Sequence, residues 1–252
     1  MFRKLQQAYK LIQFYCKALN SKGHGTHSPF VYTFIREVLN DDRHFYAYEE
    51  INHLKKDLSS DRTNILHNHK EITVSELTKK VLSDKYNRLL FRIVAYYNPK
   101  NILEIGTSIG LSTAYLASAN KGIPVVSLEA NQEIVSFAKQ TFNDLSLDNV
   151  SIKITSPFLP DILTQEVSEH PFQMIFVNQA VENIFQFVSL STMIESDAIV
   201  VFADINKDLE ISKSWNTVRN QDTTTISIDL FSMGIVFFKK AQLKKQHFAI
   251  RF

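Results

Sequence analysis

Glu104, Gly106 and Gly110 stand in the pattern E-x-G-x-x-x-G within NILEIGTSIGLSTAYL, and a second acidic residue, Glu129, follows Gly106 by 23 positions. The apolar run ending at Glu104, the two glycines and the helix-like spacing after them read as strand, turn and helix. Glycine is needed where the backbone bends sharply or is approached closely, and two of only six glycines in the chain fall in this turn. Thr107 and Ser108 lie between them, and Ser112 and Thr113 fall in the first turn of the helix. A helix start offers unpaired amides to an anion. A carboxylate at the end of the next strand can accept hydrogen bonds from both hydroxyls of a ribose. Each half alone is common in structural βα units or on solvated strand ends; together they form a nucleoside-site pattern.

The dinucleotide fingerprint G-x-G-x-x-G uses its second glycine for close approach to a pyrophosphate, and Ser108 occupies that place here. The substitution argues against NAD. A ligand without a pyrophosphate, such as S-adenosylmethionine, needs the bend and the helix start but not that approach.

The elements that must position these residues follow from periodicity. After Pro99, short β-branched runs at 101–105, 125–129, 150–155, 172–178, 198–203, 224–230 and 235–239 alternate with helical spacing at 110–119, 131–145, 159–167, 181–194 and 206–219. Helices of this length between strands imply parallel pairing, while the short join between the last two strands requires an antiparallel hairpin. The fold class is therefore α/β, a seven-stranded Rossmann-like sheet over 99–252, preceded by a helical region over 1–98 expected to pack as a cap. In that region helices are expected at 2–19 and 29–39, the latter capped by Ser28 with Pro29 in its first turn, then at 47–58 and 74–97 with a break near Ser83. Thr73 and Glu76 fit a capping box, and the stretch holding His67 and His69 reads as a loop or short hairpin. The apolar face of the first helix is expected to pack on the domain rather than lie on a membrane, with Cys16 in that packing. Trp215, with Ile211 and Val218, marks a helix face against the sheet.

Totals exclude some partners. With 28 basic and 26 acidic residues, no large field favours nucleic acid. A single cysteine excludes an internal disulfide, and no apolar run suggests a signal peptide or a membrane span, so a cytoplasmic protein without stable membrane insertion is expected. His24 and His27 sit three apart without a nearby Cys or Asp to complete a metal set.

EIGTSIGLSTAYLA, from Glu104 to Ala117, resembles the first motif of the class I S-adenosylmethionine-dependent methyltransferases, in particular the small O-methyltransferases related to catechol O-methyltransferase. GHGTHSPF, DLFSMGIVFF and the terminal KQHF resemble a bacterial subgroup of methyltransferase-like proteins. The resemblance implies that Glu104, Gly106 and Gly110 shape the methionine pocket, with Thr107 and Ser108 counted among the cofactor-binding residues, that Ser112 or Thr113 contacts the methionyl carboxylate, and that Glu129 holds the ribose. It sets Ser156 and Phe158 near the adenine, with a core aromatic the other reading of Phe158. Metal-dependent relatives carry an Asp after the fourth strand and Asp-Asn after the fifth, oxygen ligands suited to Mg²⁺. Here Asn178, counted with the cofactor-facing residues, and Asp204 followed by Ile205 occupy those places, so no metal site is expected. Asp204 is the first candidate for a general base, with His24, His27 and His170 behind it and a helix cap as its structural alternative. The expected function is methyl transfer from S-adenosylmethionine to a hydroxyl of a small molecule without metal. The alternative is a catalytically degenerate methyltransferase fold serving as a binding or assembly module. A homodimer is compatible with either.

Overall fold

The computed structural model describes residues 2–22, 27–67, 70–155, 171–179, 194–238 and 244–252. His24, His69, Ser156, Phe158, His170 and the helix expected at 159–167 fall outside these residues, as does the helix expected at 181–194 except for Ile194, which begins a strand instead. The chain divides into two compact units, one spanning 42–159 and the other 1–41 with 160–252.

In the unit spanning 42–159 the described elements are α3 (Tyr46–Ser60), β1 (Asn64–His67), β2 (Lys70–Thr73), α4 (Val74–Thr78), α5 (Asp84–Tyr97), β3 (Ile102–Ile105), α6 (Leu111–Ala119), β4 (Val125–Glu129), α7 (Gln132–Asp144) and β5 (Val150–Ile154). β3, β4 and β5 pair in that order, all parallel. Local signals set the boundaries. Thr73 and Glu76 form the expected capping box at the start of α4, side chain to backbone in both directions. Asn98 ends α5 in the left-handed region just before Pro99, and Asn131 caps α7 through the amides of Glu133 and Ile134. α6 is buried from Leu111 to Ala117, so both its sides must be covered. One cover is an aromatic cluster: Phe91 of α5 lies 4.7 Å from Phe45 and 5.0 Å from Tyr48 of α3, and Tyr48 lies 5.9 Å from Tyr115 of α6. The stretch with His67 is a hairpin, β1 against β2, as one of its two expected forms.

The other unit holds α1 (Phe2–Lys17), α2 (Pro29–Phe34) continued by a π-helical turn over Ile35–Leu39, β6 (Phe172–Val177), β7 (Ile194–Ala203), α8 (Leu209–Asn220), β8 (Ile226–Asp229), β9 (Met233–Phe237) and β10 (Gln246–Ala249). Its strands pair in the order β10-β8-β9-β7-β6, with β9 antiparallel to both neighbours and the other pairings parallel. The expected hairpin is β8–β9. β10 is an additional strand, so eight strands rather than seven carry the α/β fold among the described residues. Its short sequence QHFA has no alternation to distinguish it; register with β8 and an extension pairing Leu19 with Ile250 make it a strand. Lys245 donates to the carbonyls of Asn220 and Gln221 and so closes the C-terminus of α8.

The expectation for α1 fails over its middle: Leu11, Ile12 and Tyr15 are exposed, as are Tyr9 and Cys16, so this part of the helix does not pack on the domain. α1 is held instead from its other side and its end, by Phe14 against Phe231 at 5.5 Å and by buried Ala18. Hydrophobic spacing defines an apolar face but not whether anything covers it. No helix among the described residues is long and apolar enough to cross a membrane.

Trp215 packs on the sheet as expected, edge-on to Phe202 at 5.8 Å. It is seated over Gly234, where a Cβ would lie 2.6 Å from Trp215 Cε3. Gly234→Ala is expected to destabilise the fold by about 1–3 kcal/mol through overpacking, read as a lower urea midpoint at unchanged m-value.

Candidate functional site

The turn after β3 rests on residues with unusual backbone geometry. Gly106 has φ +94°, Ser108 +51° and Gly110 +83°, so the chain enters the left-handed region three times in five residues. At Gly110 glycine is required twice over, since a Cβ there would also meet the Phe142 ring at 2.8 Å. The turn is tied to β4: the amides of Gly106 and Thr107 donate to Leu128 O at 2.9 and 3.3 Å. The strained Ser108 amide donates to Glu129 Oε2 at 2.9 Å.

Glu129 is itself buried, and its Oε1 accepts from the amides of Ala130 and Asn131 at 3.0 and 3.1 Å. A carboxylate has about four lone-pair positions. Oε1 is thus committed to the β4–α7 turn, and capacity to accept a further hydroxyl remains on Oε2. Acceptance from both hydroxyls of a ribose, as expected, would therefore fall to Oε2, which already accepts from Ser108.

Glu104, the last polar side chain of β3, has no exposure to solvent. Its Oε2 accepts from Thr113 and from Ser127, both at 2.5 Å, while Oε1 has no partner among the described residues. Thr107 and Ser127 hydroxyls lie 2.6 Å apart. Either hydroxyl can be the donor in that pair. Burial pushes the Glu104 carboxyl up to about 8, against the pull of the Ser127 and Thr113 hydrogen bonds and with a smaller push from the Glu129 charge. At neutral pH the group is therefore mainly protonated.

Ser112 and Thr113 do not turn their hydroxyls outward. Ser112 donates to Asn87 Oδ1 at 2.9 Å, Asn87 in turn donates to Leu82 O at 2.8 Å, and Thr113 is held by Glu104. What the start of α6 offers instead is backbone. No side chain caps it, and the first amides of a helix, here Leu111, Ser112 and Thr113, have no intrahelical acceptor. Asn87 and Ser127 were not singled out in the sequence. Each is a polar residue at a buried position of an otherwise apolar pattern, the one signal that could have marked it.

The β1–β2 hairpin is fastened beside Glu129. Leu66 donates its amide to Glu133 Oε2 at 2.8 Å, and Asn131 Nδ2 donates to Leu66 O at 2.6 Å. Glu104, Gly106, Thr107, Ser108, Gly110 and Glu129 thus form one bonded group within the unit spanning 42–159.

Asn178 and Asp204 belong to the other unit. Val177 pairs with Phe202, so the two residues leave adjacent parallel strands. Asp204 has φ +50°, its amide bonds to Ser232 O at 2.7 Å, and Lys207 Nζ lies 2.6 Å from its Oδ1. Its alternative role as a helix cap is not the one found: Asp208 caps α8 through the amides of Glu210 and Ile211. No cluster of three metal-ligating side chains occurs among the described residues.

Known proteins place this geometry in context. The family model for protein-L-isoaspartate(D-aspartate) O-methyltransferase matches residues 87–189, less than half of the chain. No protein of curated function matches the sequence. Among solved structures, the SAH-bound methyltransferase PaMTH1 of Podospora anserina is 13% identical with a TM-score of 0.60, over 84% of this chain and 97% of that one. An O-methyltransferase from Bacillus cereus in complex with SAH is 18% identical with a TM-score of 0.54, over 80% and 94%. The O-methyltransferase TomG of Streptomyces achromogenes, in complex with SAM, is 16% identical with a TM-score of 0.55, over 78% and 91%. The chain has the Rossmann-like fold of the class I O-methyltransferases.

Ionisation of Glu104 sets a pH test. Its folded value lies above the ordinary value of 4.5, so the unfolded chain loses this proton first as pH rises. The stability it contributes is complete below about 4.5 and is lost as pH rises through about 8. Glu104→Gln is expected to abolish this part of the fall in urea-unfolding free energy between pH 5 and pH 8.5.

Proposed function

We propose that this protein is an S-adenosylmethionine-dependent methyltransferase acting on a hydroxyl of a small molecule without a metal ion. The observation that carries the reading is the strained turn fixed by Glu129 on the Ser108 amide, with an uncapped α6 beside it. The residues fit the ligand at both ends. The free amides at the start of α6 suit the methionyl carboxylate, and the remaining acceptor capacity of Glu129 Oε2 suits a ribose hydroxyl. The solved structures of the same fold that hold SAM or SAH support the same ligand. Ser156, Phe158 and Asn178 complete the proposed set.

When bound, S-adenosylmethionine supplies a methyl group already activated by its sulfonium, so alignment of the acceptor provides much of the acceleration. Asp204 is proposed as the base that takes the acceptor proton, its carboxylate steadied by Lys207. The metal-independent form of the proposal rests on Asn178 and the Asp204-Ile205 pair, which provide one anionic oxygen ligand where a Mg²⁺ set would use three. A cytoplasmic location fits the same reading.

Calorimetry with S-adenosylmethionine, S-adenosylhomocysteine and NAD tests the ligand. Binding of the two sulfur nucleosides and not NAD is expected, and absence of both sinks the proposal. Gly106→Trp is expected to abolish S-adenosylhomocysteine binding, and Glu129→Gln to weaken it about tenfold or more, the equivalent of one charge-assisted hydrogen bond. Asp204→Asn should leave that affinity within about twofold while lowering turnover by about 10²-fold or more. Turnover unaffected by EDTA is expected. Binding without turnover across phenols, catechols and carboxylic acids would favour a non-catalytic binding module instead.

A further inference from the structure

The exposed face of α1 has the composition of a surface that meets lipid. Tyr9, Ile12 and Cys16 follow one another at i, i+3 and i+7, and Tyr15 adjoins them; Tyr9 is 62% and Ile12 63% exposed. Phe14, which anchors the helix through Phe231, is two residues from Ile12 and so about 200° around the helix axis from it. The helix is therefore held by one side and leaves the other, apolar side to solvent. Exposed apolar surface of this continuity marks an interaction site rather than scattered surface residues.

Charge identifies the occupant. The chain as a whole is nearly balanced, with 28 basic and 26 acidic residues, yet its first acidic residue is Glu37. Before it come Arg3, Lys4, Lys10, Lys17, Lys22 and Arg36. Lys10 and Lys17 are exposed and stand one heptad apart, along one edge of the apolar stripe. Arg251 adds another cation at the end of the helix, donating to Tyr15 O at 2.7 Å with its guanidinium 5.7 Å over the Tyr15 ring. A second copy of α1 is disfavoured by this charge, because a two-fold interface sets each patch against itself and brings these cations together. An anionic lipid surface accepts both features: tyrosine and isoleucine enter the boundary between headgroups and chains while lysines meet the phosphates.

We propose that α1 is a reversible interfacial anchor that lies flat on anionic bilayers through Tyr9, Ile12 and Cys16, flanked by Lys10 and Lys17. The helix does not span the membrane; at 16 residues with four cations it adsorbs at the interface. This assignment is independent of the methyl-transfer reading.

Vesicle flotation of the full chain tests it. The protein is expected to float with phosphatidylglycerol-containing vesicles, to float far less with phosphatidylcholine alone, and to be released by high salt. Ile12→Asp should abolish flotation, and Lys10→Gln and Lys17→Gln should each lower the partition coefficient about fivefold. Because these positions are exposed, melting temperature should remain as in the parent protein. The proposal is overturned by no flotation of the parent protein, by equal flotation of parent and Ile12→Asp, or by a solution dimer that Ile12→Asp dissociates. Capture of an acidic protein by α1 without any vesicle binding would do the same.

Discussion

The carboxyl group of Glu104 lies wholly out of water, and the arrangement around it answers that cost. An isolated buried carboxylate would be prohibitive, so the group is held mainly neutral and surrounded by hydroxyls that can donate to it. Those hydroxyls come from three places: Thr113 on α6, Ser127 on β4 and, through Ser127, Thr107 in the turn. A single side chain thereby couples the strand carrying the motif to the next strand and to the following helix. Deleting any one donor leaves a buried acceptor short of partners, so the group is expected to act as a unit.

The turn itself is a strained segment held by a neighbour. Ser108, a residue with a Cβ, sits at positive φ, and its amide is kept there by the Glu129 carboxylate. The same carboxylate organises the turn into α7 through two more amides, and the β1–β2 hairpin is pinned to the start of α7 by Asn131 and Glu133. Glu129 is therefore structural and available at once: three backbone donors fix its position, which leaves one oxygen with capacity for a ligand. Fixing an acceptor in advance lowers the ordering cost of binding.

In the other unit, backbone geometry also decides roles. Asp204 follows β7 in the left-handed region and pairs with Lys207, while four residues later Asp208 takes the helix-capping role. Two nearby aspartates thus divide the work, and only the cap is accounted for by secondary structure alone. α1, held at Phe14 and Ala18, leaves Tyr9 and Ile12 in solvent, where a chain without use for them would be expected to carry polar residues.

By itself the sequence determined whatever depends on local spacing. The alternation of apolar strands with amphipathic helices, the βα turn at Gly106 and Gly110, the capping box of Thr73 and Glu76, the Ser28–Pro29 helix start and the final hairpin all follow from backbone preferences acting over a few residues. Hydrogen bonds between distant residues could be fixed only by the tertiary structure: Ser112 bonds to Asn87 across 25 positions, which turns a hydroxyl expected at the methionyl carboxylate inward, and Thr107 meets Ser127 across 20. The same holds for β10, a strand because β8 lies beside it, and for the bare side of α1. Spacing fixes which residues share a face, but burial is a property of what the rest of the chain brings against that face.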